Sequence, residues 1–333
     1  MRLQRVLTTI DAHAGGEPLR IVTSGVPPLS GATLLERRAC LGERYDELRR
    51  LLLWEPRGHA DMYGAVLTPP DDPAADYGVI FLTNEGYSTM CGHGIIALTT
   101  ALIETGTFPV DGCEAEIVYN TPAGVVRAWA SLDGDRVVEV RFRNVPAFRL
   151  AAGIEVEVSV GRVSVDVAFG GAWYAIVAAA DLGVEVVPEA AARLVAVGME
   201  VKRAVDAAVT VVHPERADLA GLYGTVITAP STGEAHGRNV TVYANGAIDR
   251  SPCGTGTSAR LACLHADGAL GQGERFIHES VIGSVFTGRV VGAKTVDDLV
   301  AVETEIRGRG FLTGLHTFVV DPTDPLGDGF FIG

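Results

Sequence analysis

The sequence predicts a strand-dominated α+β protein made of two homologous halves, and three observations carry that prediction. Cys91-Gly92-His93-Gly94 and Cys253-Gly254-Thr255-Gly256 each open an apolar, helix-like stretch that runs to a glycine, Gly106 and Gly268. Asp11-Ala-His13-Ala-Gly15-Gly16 with Ile21-Val22 mirrors Asp166-Val-Ala-Phe-Gly170-Gly171 with Ile176-Val177, and residues 62–68 mirror residues 222–228. Short Val, Ile and Thr runs bounded by Gly, Pro, Asp and Asn recur throughout, the punctuation of many strands and not of regular βαβ alternation. The matches are ordered and offset by about 155, 160 and 162 residues, a period too long for a solenoid, so the chain reads as one ancestral unit present twice.

Along the chain, residues 117–119, 124–129, 136–142 and 156–160 read as strands. The uncharged run 167–180 is too short to cross a bilayer and carries two central glycines, which suits a buried strand pair. Helices are expected over residues 33–53, with charges on one face, over the two stretches after the cysteines, and over 190–208, where Leu194, Val197, Val201 and Val205 form a stripe. A boundary after Asn144-Val-Pro146 divides the chain into 1–148, carrying Cys91, and 149–316, carrying Cys253, with the cysteines expected on either side of a shared cleft.

Composition narrows the function classes. A chain of 333 residues, 47% apolar and 20% charged, has ample material for two cores. A net charge of −14 and a pI near 5.0, with no Lys/Arg run, exclude nucleic acid and anionic membrane as expected partners. The mean hydropathy of +0.25 comes without an apolar run long enough for a span. Residues 1–5 lead directly into strand-like alternation with no apolar leader, so cytoplasmic residence is the default, and the five cysteines are expected as free thiols.

A cysteine at a helix N-terminus is expected to ionise more readily, because the helix dipole favours the anion, and the following glycines let backbone N–H groups converge on a carboxylate. With an α-amino acid between two such thiols, one removes the α-proton and the other delivers a proton to the opposite face, inverting the centre without a cofactor. Near-symmetric halves suit a reaction whose forward and reverse directions exchange the two roles. Asymmetry is expected at the substrate amine: Asp249, four residues before Cys253, aligns with Tyr87, four before Cys91, and is the candidate amine anchor. Tyr243 aligns with Phe81 as a candidate pocket wall. Cys40, Cys113 and Cys263 and the histidines other than His93 read as structural or surface groups, and no Cys/His spacing suggests zinc. Gly-Thr-Gly-Thr after Cys253 lacks the Lys-Ser/Thr ending of a phosphate loop.

These residues resemble the proline racemase superfamily: Asp11-Ala-His13-Ala-Gly-Gly-Glu17-Pro, Glu55-Pro-Arg57-Gly-His59-Ala-Asp61-Met, Asn84-Glu85-Gly86, Met90-Cys91-Gly-His93-Gly, Asp249-Arg-Ser-Pro-Cys253-Gly-Thr-Gly-Thr and Gly283-Ser-Val-Phe-Thr-Gly288. The resemblance spans nearly the whole chain. It implies the diaminopimelate-epimerase-like fold, two pseudo-symmetric domains that each wrap a barrel-like sheet around a central helix, with residues 317–333 returning to complete the first. It implies Cys91 and Cys253 as the two bases, Asp249 and His93 at the ring nitrogen or carboxylate, and backbone donors at Gly92, Gly94, Gly254 and Thr255. It places Tyr63 and Tyr243 among the ring-packing aromatics. It implies no cofactor, a prolyl small-molecule substrate, and an assembly for which a homodimer stays open.

Within the superfamily, Gly-Gly-Glu-Pro-Leu-Arg-Ile-Val and Asn-Glu-Gly-Tyr-Ser-Thr-Met-Cys are most similar to the trans-3-hydroxy-L-proline dehydratases. That branch typically carries Thr where Cys253 stands. The second thiol therefore puts racemisation or epimerisation of proline or 4-hydroxyproline first, and dehydration of 3-hydroxyproline second. A single-cysteine hydrolase leaves one helix-start thiol unexplained, and a non-catalytic prolyl-binding protein predicts binding without α-proton exchange. Diaminopimelate epimerase itself is disfavoured by the absence of its Cys-Gly-Asn-Gly motif.

Overall fold

The computed structural model describes residues 5–332 and forms two compact units. The first holds the chain up to Thr89, Gly94–Val140 and the chain from Arg309; the second holds Met90–His93 and Arg141–Gly308. The chain thus changes unit at 140/141 and 308/309, where the sequence suggested 148/149 and 316/317. Two contacts explain the difference. Asn144 donates to the Gly170 carbonyl (2.6 Å) and the Ser258 hydroxyl (3.0 Å), which anchors the segment before Pro146 in the second unit. Gly310 lies against the first unit's central helix, where a β-carbon would come within 2.5 Å of Thr100 Oγ1.

The first unit runs β1 (Arg5–Ala14), β2 (Glu17–Ser24), α1 (Leu34–Arg44), α2 (Asp46–Leu53), β3 (Gly64–Thr68), β4 (Tyr77–Leu82), β5 (Tyr87–Ser88), α3 (Gly92–Glu104), β6 (Glu114–Thr121), β7 (Gly124–Asp133) and the start of β8 (Arg136–Arg143), and includes β20 (Gly310–Val320). Strand β20 pairs antiparallel with β1, β1 antiparallel with β2, β2 parallel with β3, β3 antiparallel with β4, β4 parallel with β6 and β6 antiparallel with β7. Residues Ile95–Thr100 of α3 are fully buried, and Thr99 meets the Tyr119 hydroxyl of β6 at 2.9 Å. The helix expected over 33–53 is two. Thr33 and Glu36 form a reciprocal capping box at the start, and Tyr45, at φ −140°, breaks the run before Asp46 restarts it. Leucines 41, 48, 51, 52 and 53 of these helices pack with Leu7, Val22, Val66 and Ile80 of the sheet.

The second unit contains β9 (Ala147–Val158), β10 (Gly161–Phe169), β11 (Trp173–Ala178), α4 (Ala191–Ala208), the small hairpin β12 (Val212–His213) and β13 (Arg216–Ala220), β14 (Gly224–Ala229), β15 (Gly237–Tyr243), β16 (Ala247–Asp249), α5 (Gly254–Ala266), β17 (Arg275–Glu279), β18 (Val285–Val296) and β19 (Leu299–Gly308). Its strands pair in the order β9-β10-β11-β14-β15-β17-β18-β19 and β19 returns to β9, a closed eight-stranded ring. Helix α5 packs on β9, β10, β11, β18 and β19. Gly170 and Gly288 let it approach: a β-carbon on Gly170 would lie 2.2 Å from the Thr255 carbonyl oxygen, and one on Gly288 would lie 2.8 Å from Leu261. Helix α4 covers β14 and β15 from outside, with Gly198 against Val242.

The two pairing schemes are the same. Each unit has an antiparallel hairpin, a parallel step to a third strand, an antiparallel fourth strand, a short strand folded back on it before the central helix, and a parallel step to the strand after that helix. The pairing also fixes equivalences finely. Gly64 pairs with Arg20 and Leu82, and Gly224 pairs with Tyr174 and Tyr243. Tyr174 is therefore the counterpart of Arg20, and Tyr243 that of Leu82, one position away from the ungapped match to Phe81. Tyr87 corresponds to Ala247 and not to Asp249, because it pairs with Leu82 as Ala247 pairs with Tyr243. No helix among the described residues is long and apolar enough to cross a membrane.

Candidate active site

The starts of α3 and α5 come together inside the second unit through glycines. A β-carbon on Gly92 would lie 2.5 Å from the Gly254 Cα, and one on Gly254 would lie 2.7 Å from the Gly92 Cα. No side chain fits between backbones that close, so glycine is required on both sides. Cys91 and Cys253 each immediately precede one of these glycines and are 4% and 6% exposed. Gly94 follows in the first turn of α3.

The two sulfurs have different neighbours. Cys91 Sγ lies 3.2 Å from His93 Nδ1, and the His93 ring is buried with it. Cys253 is the N-cap of α5, at φ +61°, a left-handed conformation that costs a non-glycine residue roughly 1–3 kcal/mol and that clusters at functional sites. Its sulfur accepts from the Gly256 N–H (3.3 Å) and approaches the Tyr174 hydroxyl (3.6 Å) and Thr255 Oγ1 (3.7 Å). The turn before it is held from behind. Ser251 Oγ accepts from the Cys253 N–H, and the Pro252 carbonyl accepts from Asn239 and Thr257. Thr257 meets His278 Nδ1 at 2.9 Å, and burial pushes that imidazole down to about 3, so it stays neutral.

Asp249 is 4% exposed at the end of β16 and accepts from the Ser251 N–H at 2.7 Å. Burial raises its carboxyl from 3.8 to about 6, against the opposing hydrogen bonds from Ser251. Burial, then the Asp249 charge, pushes the Cys253 thiol up to about 12. The sequence-based expectation that a helix start makes this thiol acidic is therefore corrected. The Gly256 N–H does favour the thiolate, but removal from water and the carboxylate beside it outweigh that donor.

The remaining candidates separate. Thr255 is buried, with Oγ1 2.7 Å from the Tyr174 hydroxyl. Tyr243 stacks on Tyr223 with centroids 5.6 Å apart. Tyr63 lies in the first unit, where its hydroxyl donates to Ser88 at 2.6 Å. Tyr87, aligned by sequence with Asp249, donates to Asp46 instead. Other motif residues are scaffold: Arg20 grips Asp11 with two nitrogens and donates to the Leu52 and Arg57 carbonyls, while Asn84 binds the Leu53 and His59 carbonyls and the Met62 N–H. Sequence reasoning missed Tyr174, 1% exposed, whose burial raises its phenol well above 10 and keeps it a donor. The available signal was its equivalence to the buried polar Arg20, which the ungapped match hid by setting Arg20 against Ala175. No group of three or more His, Cys, Asp or Glu side chains able to hold a metal ion occurs among the described residues.

Comparison with known proteins agrees with this geometry. The proline racemase family model matches residues 9–331. The chain is 46% identical to a trans-3-hydroxy-L-proline dehydratase from Bacillus cereus over 334 residues and 44% identical to a 3-hydroxyproline 2-epimerase from Burkholderia multivorans, with both chains covered completely in each case. It superposes with a TM-score of 0.93, at 35% identity, on a hydroxyproline epimerase from Agrobacterium vitis solved with trans-4-hydroxy-L-proline bound, covering 100% of this chain and 97% of the other. A duplicated pairing scheme, two cysteines at adjoining helix starts and full-length similarity at this level have one reading: the chain belongs to the proline racemase family.

Proposed function

We propose that this enzyme dehydrates trans-3-hydroxy-L-proline, with Cys91 as the base. The observation that carries the assignment of roles is the difference between the sulfurs: Cys253 is held as a thiol beside Asp249, whereas Cys91 sits against the His93 imidazole. In this substrate the α-hydrogen and the 3-hydroxyl lie on the same face of the ring. One group can therefore do both jobs. Cys91 thiolate takes the α-proton, the electron pair closes the Cα–C3 double bond as the C3–O bond breaks, and the new thiol returns the proton to the departing hydroxide as water. The enamine takes a proton from solvent at C3 and gives one up to solvent from the ring nitrogen, which yields the cyclic imine, and Cys91 ends as it began. Backbone N–H groups at the two helix starts suit the carboxylate, on which charge builds during α-proton removal. The similarity to named dehydratases supports the 3-hydroxy substrate.

A second reading, inversion at Cα of a prolyl substrate, is favoured by one observation: a buried thiol, not a hydroxyl, stands at position 253. After Cys91 takes the α-proton, Cys253 delivers its own to the opposite face. Sequence alone put inversion first; the dehydratase relatives move dehydration ahead of it. The test follows L-proline, trans-4-hydroxy-L-proline and trans-3-hydroxy-L-proline separately in D2O, reading imine formation, optical rotation and α-proton exchange. Imine is expected from the 3-hydroxy substrate, Cys253→Thr should retain it while losing all inversion, and Cys91→Ser should lower it by roughly 100- to 10,000-fold. Inversion of proline or 4-hydroxyproline with no imine would reverse the order of the readings, and no reaction with any of the three would sink both.

A further inference from the structure

Tyr174, Thr255 and Cys253 form a closed buried trio: hydroxyl to hydroxyl 2.7 Å, phenol to sulfur 3.6 Å, threonine to sulfur 3.7 Å. Tyr174 is 1% exposed and Thr255 3%, so no bulk water competes for these groups. The phenol has one proton and two neighbours that can accept it. Either hydroxyl can donate across the 2.7 Å contact, and while Cys253 is a thiol Thr255 Oγ1 is the nearest acceptor for the phenol proton. Once Cys253 loses its proton, the sulfur becomes the strongest acceptor within reach, and a phenol hydrogen reaches it by rotating about the C–O bond without moving a heavy atom.

We propose that Tyr174 is a switchable donor that turns from Thr255 to the Cys253 sulfur when that sulfur becomes a thiolate, and so selectively stabilises the state in which Cys253 has given up its proton. This rests on the second reading above, in which Cys253 carries a proton to Cα. Tyr174 keeps its own proton throughout; the proton that moves is that of Cys253. With the Gly256 N–H, already 3.3 Å from the sulfur, the phenol completes a thiolate-binding pocket assembled before the reaction. The strand register accounts for its position, because the residue equivalent to Tyr174 in the first unit is Arg20, which is committed to Asp11 and two carbonyls. At these equivalent positions, among the described residues, Arg20 is engaged by its own unit while Tyr174 reaches a cysteine sulfur.

The test reads the sulfur without turnover. In a Cys91→Ala background, the rate of carbamidomethylation at Cys253 is measured by mass spectrometry from pH 7.5 to 9.5. Tyr174→Phe is expected to slow labelling about tenfold at every pH, the loss of one hydrogen bond to a charged group. Loosened packing alone would speed it, so the sign separates the two roles. Replacing the ring at 174 by 3-fluorotyrosine keeps the side chain and strengthens the donor, and is expected to speed labelling; it decides the matter if the Phe variant does not fold. Unchanged or faster labelling in Tyr174→Phe, or no response to fluorination, overturns the proposal. Full inversion by Cys253→Ser would instead remove the proton-carrying role of Cys253 and leave the labelling result standing.

Discussion

Replacing Asp249 with Asn is expected to stabilise the protein while disabling it. Asp249 is 4% exposed, and burial holds its carboxyl near 6, where an unfolded chain ionises near 3.8. Between those values the folded state binds more protons than the unfolded one, so stability falls as pH rises through about 4 to 6 and stays lower above that. A shift of about two units corresponds to about 3 kcal/mol of stability present in acid and absent at neutral pH. Asn keeps the shape without the charge, but its oxygen accepts the Ser251 N–H less strongly than a carboxylate does, which returns about 1 kcal/mol. The net gain at pH 7.5 is about 2 kcal/mol, or roughly 4–8 °C in the melting midpoint of a unit this size. Scanning calorimetry of both proteins at pH 7.5 and pH 5 provides the assay, with the gain largest at pH 7.5 and shrinking toward pH 5. An Asn variant no more stable than wild type at pH 7.5, or a gain that does not shrink in acid, would refute the reasoning. So would retained activity, since the proposed amine anchor is gone.

The same carboxyl predicts an acid limb in catalysis. With Asp249 as the proposed amine anchor, a substrate ammonium binds its ionised form, so kcat/KM of the wild-type enzyme should fall about tenfold per pH unit below about 6, and a pH–rate profile flat through that range would refute the anchor. Gly254→Ala would put a β-carbon 2.7 Å from the Gly92 Cα and force the helix starts apart. A displacement of about 1 Å should lower kcat/KM about 100-fold, and a variant within a few-fold of wild type in a steady-state assay would show that the glycine contact does not set the site's geometry.

How much of this was legible in the sequence depended on how local each cause is. The duplication showed partly because glycines that punctuate it, Gly224 against the Val242 carbonyl and Gly92 and Gly254 against each other, are fixed by close backbone approach, and that need leaves a residue-type mark. The single helix expected over 33–53 failed at Tyr45, because nothing in its hydrophobic spacing announces a residue that leaves helical φ. The cysteines were found from their local frame, and the direction of the Cys253 shift was missed for the same reason. The helix start is local, while burial and the Asp249 charge come from β16 and the surrounding barrel. Tyr174 was missed because its partners lie on α5, about 80 residues away, and only a strand register brings them together.

The register also explains why the second half has the more elaborate site. One residue beyond β5, Thr89 occupies the place of Asp249, yet Cys91 follows it by two residues where Cys253 follows Asp249 by four. The two additional residues make a turn whose Ser251 binds the Asp249 carboxylate through its N–H and receives the Cys253 N–H on its hydroxyl. That turn delivers Cys253 at φ +61°. A two-residue insertion before one of two duplicated helices thus creates a buried acid and sets a thiol against it. A prolyl substrate is asymmetric at its amine, so a pair of identical halves has no reason to recognise that amine on one side alone. The two additional residues give such a reason, and with Asp249 as the proposed amine anchor the orientation of the substrate is expected to originate in residues 249–252 and not in either cysteine.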